Sequence, residues 1–178
     1  MKFVPLSKNK QARVDDEDFE RVSRWHWSYC PNRGGYAVRN ETYAPGKHRY
    51  LPMARFILNA PKGKLVDHIN GETLDNRKEN LRLCTHAENQ ANKKRPVNNT
   101  SGYKGVQWSK QKEKWIAVAW LMGHLYYGGA YTDKIEAAKA YDRLAVKLYG
   151  EFARVNFPEQ STSPKKPSRG TEELDRAA

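Results

Sequence analysis

The chain contains no apolar run approaching 18 residues, which argues against a spanning helix. Its start, Met1-Lys2-Phe3-Val4-Pro5-Leu6-Ser7-Lys8, has no apolar block, so no secretory leader is expected. Cysteine is scarce. Cys30 and Cys84 are the only two, and they form no CxxC pair. That speaks against a disulfide scaffold or a structural zinc site and suits a reducing, cytoplasmic compartment. Acid is also in short supply, with 20 Asp+Glu against 32 Lys+Arg for a net charge of +12. Only 38% of residues are hydrophobic, yet 5 Trp and 10 Tyr are present, and those aromatics exclude disorder for most of the chain. At 178 residues there is room for one ordinary domain or two small ones. A basic, aromatic-rich protein of this size has nucleic acid as its leading partner.

The positive excess is not in a tail. Residues 1–60 hold 11 basic and 6 acidic residues, 61–100 hold 8 and 5, and 101–157 hold 9 and 5. Residues 158–178 hold 4 and 4. Residues 159–178 are polar and Pro-rich and are expected to be a disordered tail.

Residues 1–60 read as a β-rich segment of short strands around one helix, packing on residues 61–96. Asp15 to Arg24 places acids first and bases last, which suits a helix macrodipole. Trp25 and Trp27 are expected to alternate on one strand face, and Gly34-Gly35 before Tyr36 suggests a hairpin. Residues 97–102 read as a linker. In 103–158 three short strands precede a helix. That helix starts at a cap on Asp133, carries Ala137, Tyr141, Leu144 and Leu148 on one face, and ends at Gly150. One helix covers only one face of such a sheet, so the other must be wet or occupied by a partner.

The chemistry concentrates in 61–96. Val66-Asp67-His68-Ile69 is a strand running into the Asn70-Gly71 turn, and Leu81 to Cys84 is its return. Thr85-His86-Ala87-Glu88 is a capping box that opens a helix. Asp67 and His68 are adjacent on a strand, so their side chains point to opposite faces. A carboxylate and an amide oxygen are hard ligands for Mg²⁺ or Mn²⁺, and a neutral imidazole can take a proton from attacking water. That combination suits phosphodiester hydrolysis.

Asp67-His68, Asn80 and Asn89 resemble the HNH nuclease motif. More narrowly, they resemble the ββα-metal fold of phage and intron-encoded HNH homing endonucleases. The resemblance implies that His68 activates water and that Asp67 and Asn89 bind one divalent metal, Mg²⁺ or Mn²⁺. It implies that Asn80 holds the hairpin and orients His68, and that His86 lies close to the scissile phosphate. Residues 1–60 resemble the segment that precedes HNH motifs in phage and bacterial proteins. Two positions depart from the pattern: Asn89 stands where many members have His, and Ala54 stands where related sequences usually place His.

Tyr103-Lys-Gly-Val106, Lys114-Trp115-Ile-Ala117, Ala137-Ala138-Lys-Ala-Tyr141-Asp142 and Asn156-Phe157-Pro158 resemble the APETALA-two/ethylene-response-factor DNA-binding domain. That family lays a three-stranded sheet in the DNA major groove with a helix packed behind. No Arg lies between Tyr103 and Arg143, so Gln107, Trp108, Lys110, Lys112, Lys114, Trp120 and Tyr126 are the expected contacts here. Arg82, Lys93, Lys94 and Arg95 are expected to meet phosphates beside the nuclease motif. Together these readings give an α+β chain, a ββα-metal nuclease core followed by a small antiparallel sheet plus one helix. Its expected partner is double-stranded DNA, with no small-molecule cofactor and a monomer in a bacterial or phage-infected cell. The alternative is a non-catalytic, sequence-specific DNA-binding regulator with a decayed nuclease motif.

Overall fold

A computed structural model describes residues 1–158, so the expected tail, with its Lys165-Lys166 pair, lies outside the described residues. The chain is α+β, built from small antiparallel sheets and short helices. It opens with the hairpin β1 (Lys2–Leu6) and β2 (Lys10–Val14). The inward set is Val4, Leu6, Ala12 and Val14, as strand alternation requires. Helix α1 (Asp16–Ser23) follows, with Asp16, Glu17 and Asp18 in its first turn and Arg21 in its last. Trp25 and Trp27 do not lie on a strand; they form the connection after α1. Trp27 is buried and its Nε1 donates to the Val22 carbonyl at 2.9 Å, satisfying a helix-end acceptor. Trp25 is exposed and carries the Arg39 guanidinium 3.9 Å above its ring.

The strands β3 (Ser28–Cys30), β4 (Tyr36–Ala44) and β5 (Lys47–Pro52) form an antiparallel sheet, with the expected hairpin turning through Gly34 and Gly35. Helix α2 (Met53–Ile57) buries Met53, Ala54 and Ile57. These residues join β1, β2, α1 and β4 in one core that also takes Leu81 and is flanked by Val66 and Leu74. Residues 1–60 and the following hairpin therefore share a single apolar interior.

That hairpin is β6 (Leu65–His68) and β7 (Leu81–Cys84), in register from Leu65 opposite Cys84 to His68 opposite Leu81. The Asn70-Gly71 turn does not close it directly. Gly71 N–H returns to the His68 carbonyl at 2.8 Å, and the chain then runs through a loop to residue 80. Helix α3 (His86–Asn92) starts at the expected capping box on Thr85 and Glu88.

The last unit is the sheet β8 (Val106–Ser109), β9 (Lys114–Leu121) and β10 (His124–Tyr131), with helix α4 (Lys134–Tyr149) across it. Asp133 caps α4 through Ile135 N–H, and Gly150 ends it. A second core joins Val106, Ala117 and Ala119 to Ala137, Ala138, Tyr141 and Ala145. The small residues let helix and sheet approach closely. Gly105 marks the tightest point: its φ is +70°, and a Cβ there would stand 1.9 Å from the Tyr141 ring. Gly102, at φ +82°, has nothing within 4 Å. Gly105→Ala is therefore expected to destabilise the protein by about 1–3 kcal/mol more than Gly102→Ala, since both incur backbone strain but only one overpacks. Urea unfolding of the two variants measures the difference; equal losses would contradict the packing argument.

Candidate active site

Asp67 and His68 sit at the end of β6, and the alternation of the strand sends them to different partners. Asp67 turns towards β7 and α3. Its Oδ2 accepts from Arg82 Nε and Nη2 at 2.9 and 2.8 Å, and Asn92 Nδ2 lies 3.0 Å from both carboxylate oxygens. Asn92 Nδ2 also lies 3.0 Å from the His68 carbonyl oxygen, so the last turn of α3 is stitched to the strand end. His68 turns the other way, towards Tyr36, whose ring centre is 5.6 Å from the imidazole.

The His68 ring is held by Asn76, whose Oδ1 lies 3.3 Å from Nε2. With the amide so oriented, Nε2 carries the proton and Nδ1 presents its lone pair. That Nδ1 is buried with no hydrogen-bond partner. Burial pushes the His68 pKa below the ordinary imidazole value, against smaller opposing effects of Asn76, Asp67 and Asp75. The ring is thus a neutral proton acceptor near pH 7.

The loop that supplies Asn76 is organised by Asp75, which is fully buried. Arg77 grips it with Nε on Oδ1 and Nη2 on Oδ2, both at 2.8 Å, and Asn70 Nδ2 donates to Oδ2 at 3.2 Å. Asn80 closes the loop: its Nδ2 donates to the Asp75 carbonyl at 2.8 Å, and its Oδ1 accepts from Asn70 N–H at 3.0 Å. Asn80 makes no hydrogen bond to His68 among the described residues. It shapes the loop, and Asn76 makes the contact with the ring.

Asp67, His68 and Asn89 border one cavity of about 160 Å³, together with Tyr36, Asn92, Lys93, Lys94 and Arg154. His86 does not border it. It lies at the first turn of α3, beside the Leu65–Cys84 end of the hairpin, and its Nε2 is 3.3 Å from Gln90. Arg82 is committed to Asp67 and to the Glu151 carbonyl, with its side chain only 12% exposed, so it is a structural cation rather than a free phosphate contact. Ala54 is buried in the first core and does not reach the cavity.

Divalent-cation binding can be tested against the donors present. Asp67 Oδ1 accepts only from Asn92, which leaves a lone pair, and the Asn89 side chain makes no hydrogen bond among the described residues. Two hard oxygens on one cavity fit an ion that keeps several positions for water and phosphate. No cluster of three or more His, Cys, Asp or Glu side chains suited to a metal occurs among the described residues.

The HNH endonuclease family description matches residues 59–91, which hold Asp67, His68, Asn80 and Asn89. Protein 3.8 of Escherichia phage T7 is 39% identical over 94 residues, spanning 53% of this chain and 77% of that protein. Residues 59–91 of this chain thus carry an HNH endonuclease domain. The protein is accordingly a nuclease whose substrate is DNA, and such nucleases generally use a divalent metal. An uncharacterized HNH endonuclease of Acanthamoeba polyphaga mimivirus is 29% identical over 156 residues, 86% of this chain and 80% of that one. An AP2-like ethylene-responsive transcription factor of Arabidopsis thaliana is 37% identical over 62 residues, which are 35% of this chain and 13% of that protein. No solved structure matches significantly.

The register of the last sheet sorts the expected DNA contacts. Val106, Ala117 and Ala119 face α4, and so do their ladder partners: Trp108 is opposite Trp115, and Tyr126 is opposite Ala119. Trp108 and Tyr126 therefore belong to the helix side. The opposite face carries Gln107, Lys114, Ile116 and Trp120, and with them Leu125 and Tyr127, which pair with Trp120 and Val118. Lys112, in the turn, lies 4.7 Å above the Tyr127 ring. Trp120, Leu125 and Tyr127 are exposed. Lys110 is an exposed turn residue, and Lys93, Lys94 and Arg95 follow α3 on the surface.

Sequence reasoning missed Asn76, Asn92, Tyr36 and Arg154. Asn92 stands three residues after Asn89, on the same helix face, a spacing that could have found it. Asn76 and Arg154 carry no such local signal.

The Arg77 contact holds the Asp75 carboxyl below its ordinary range, helped by the charge of Arg13. A carboxyl lowered on folding adds stability above its unfolded value, near 4, and loses it as pH falls through the folded value. Asp75→Asn is expected to flatten the fall of unfolding free energy between about pH 5 and 2. Urea titrations at several pH values measure this; a slope equal to the parent's would contradict it.

Proposed function

We propose that this protein is a site-directed, divalent-metal-dependent DNA endonuclease of the homing type, with a ββα-metal centre on Asp67, His68 and Asn89. The observation that carries the reading is that His68, whose buried Nδ1 has no hydrogen-bond partner, borders one cavity with a carboxylate and an amide free of side-chain hydrogen bonds. His68 Nδ1 takes a proton from water as the water oxygen attacks phosphorus. The bond from phosphorus to one sugar oxygen breaks, and that oxygen leaves with a proton from solvent. Asn76 holds the imidazole in the accepting tautomer, and Asn80 keeps the loop that presents Asn76. Asp67 and Asn89 would hold a Mg²⁺ or Mn²⁺ ion, which supplies charge stabilisation at the phosphate and leaving oxygen. His86 stands outside this set. The decayed-nuclease alternative draws on Ala54 and on the C-terminal DNA-binding-like unit; Ala54 is buried in the first core away from the cavity, which weakens the first ground and leaves the second.

Supercoiled plasmid incubated with the protein and Mg²⁺ or Mn²⁺ is expected to be nicked. His68→Ala is expected to lose about 10²–10⁴-fold in rate, and EDTA to abolish the reaction. Nicking that survives both would sink the proposal.

The APETALA-two/ethylene-response-factor-like unit is the proposed tether, reading duplex DNA through the sheet face that α4 leaves open. Gln107, Lys114, Trp120, Leu125 and Tyr127 share that face, with Lys110 and Lys112 at its rim. Trp120→Ala combined with Tyr127→Ala is expected to weaken duplex binding by about tenfold or more, at the scale of truncating central aromatic contacts. Trp108→Ala, on the other side, is expected to change affinity less. Gel mobility shifts at fixed salt compare them, and the reverse order would place the interface elsewhere.

A further inference from the structure

The segment after α4 does not stay with its own sheet. Asn156 N–H and Phe157 N–H donate to the Asp142 carboxylate at 2.7 and 2.9 Å, which anchors the segment to α4. Just before this anchor, the Glu151 carbonyl accepts from Arg82 at 2.6 Å, and Phe152 lies under the Arg82 guanidinium at 4.1 Å. On the other flank, Lys104 Nζ donates to the Ala91 carbonyl and, at 2.7 Å, to the Lys93 carbonyl, placing a cation on the C-terminal end of α3. Residue 154 is thus fixed between two latches.

Arg154 points into the nuclease. It borders the cavity of Asp67, His68 and Asn89, and its Nη1 lies 2.9 Å from where a Cβ on Gly71 would stand. It is half-buried, and no group among the described residues accepts a hydrogen bond from it. A second cavity, of about 570 Å³, is bordered by Lys94, Arg95, Lys104 and Arg154, and Lys94 and Arg154 border both. Burial and the charge of Arg154 bring the Lys104 pKa down to about 8. Lys94 is paired with Glu72 at 3.3 Å, whereas Arg95 and Arg154 face the larger space with no carboxylate partner among the described residues, an arrangement that an anion completes.

We propose that Arg154 is an anion-clamping residue of the nuclease site. Its guanidinium grips the phosphate held over Asp67 and His68, while a neighbouring phosphate of the same strand occupies the larger basic cavity. This rests on the reading that DNA is cut in the smaller cavity. The planar fork can donate two hydrogen bonds to the non-bridging oxygens, where negative charge grows as water attacks. The nuclease centre is therefore incomplete without the C-terminal unit, which delivers a reacting-site cation as well as a grip on DNA.

The test uses full-length Arg154→Ala and Arg154→Lys beside the parent and His68→Ala. Plasmid nicking is measured at saturating DNA with Mg²⁺, and duplex affinity by mobility shift with Ca²⁺ in place of Mg²⁺. Arg154→Ala is expected to lose about 10²-fold or more in kcat with Kd changed by under about threefold, and Arg154→Lys to recover part of kcat. Should Arg154→Ala fail to melt cooperatively, Arg154→Gln and Arg154→Lys carry the same comparison. Parental kcat in the Arg154 variants, or a loss confined to Kd, overturns the proposal while leaving His68-dependent cleavage standing. A parent that does not nick, or nicks equally as His68→Ala, overturns the cleavage reading and this proposal with it.

Discussion

A carboxylate cannot be buried alone, and the partners that Asp67 recruits set much of the remaining structure. Its side chain is 7% exposed, so it needs both a counter-charge and hydrogen-bond donors. Arg82, directly across the β6–β7 ladder, supplies the charge. Asn92, from the end of α3, supplies the donor. A strand, its return strand and the following helix are thereby tied at one atom group. Arg82 then donates from its third nitrogen, Nη1, to the Glu151 carbonyl, so the same ion pair joins the nuclease to the segment after α4. One oxygen of Asp67 is left with capacity to spare, which is what a hard-metal ligand requires.

The strand alternation that sends Asp67 to α3 sends His68 to the opposite side, and this division separates two tasks. The Asp67 side is built from helix and strand. The His68 side is built from a loop, and a loop must be made rigid before it can hold a ring. Asp75 does this by gathering Arg77, Asn70 and, at 3.6 Å, Arg13 around a fully buried carboxylate. Backbone bonds from Arg13 N–H to the Leu74 carbonyl and from Asn76 N–H to the Arg13 carbonyl fasten the loop to β2. The N-terminal hairpin thus serves the site at one remove, by fixing the backbone at Asn76.

Much of this was legible in the residues. The capping box at Thr85–Glu88, the acid-to-base order of α1 and the spaced face of α4 are local signals, and the structure forms them where the pattern puts them. Asp67, His68 and Asn89 come to one cavity, with Asn80 in the loop beside it, because strand, loop and helix follow one another directly in the chain. What failed did so for a physical reason. Trp25 and Trp27 alternate in sequence, but only Trp27 is drawn into the core, by its bond to Val22, and no strand forms there. Trp108 and Tyr126 are exposed, but the ladder pairs them with Trp115 and Ala119 and so sets them on the helix side of the sheet, a placement that composition alone does not give. Asn76 and Arg154 were invisible because their meaning arises only when distant segments meet.

The meeting of the two units also explains why a protein so short of acid tolerates a cationic junction. Lys94, Arg95, Lys104 and Arg154 border one cavity, and with only Lys94 paired to a carboxylate, Glu72, among the described residues, like charges so placed repel one another. The apolar and hydrogen-bonded latches at Phe152, Arg82 and Lys104 must overcome that repulsion for the units to dock. On the proposed reading a phosphate chain threaded through the junction would remove it, because each anion neutralises cations from both units at once. Docking and DNA binding are then linked, and linkage is reciprocal: whatever a strand gains from a docked junction, the junction gains from the strand. On the proposed reading, part of the net charge of +12 is a repulsion at this junction that a substrate phosphate would relieve.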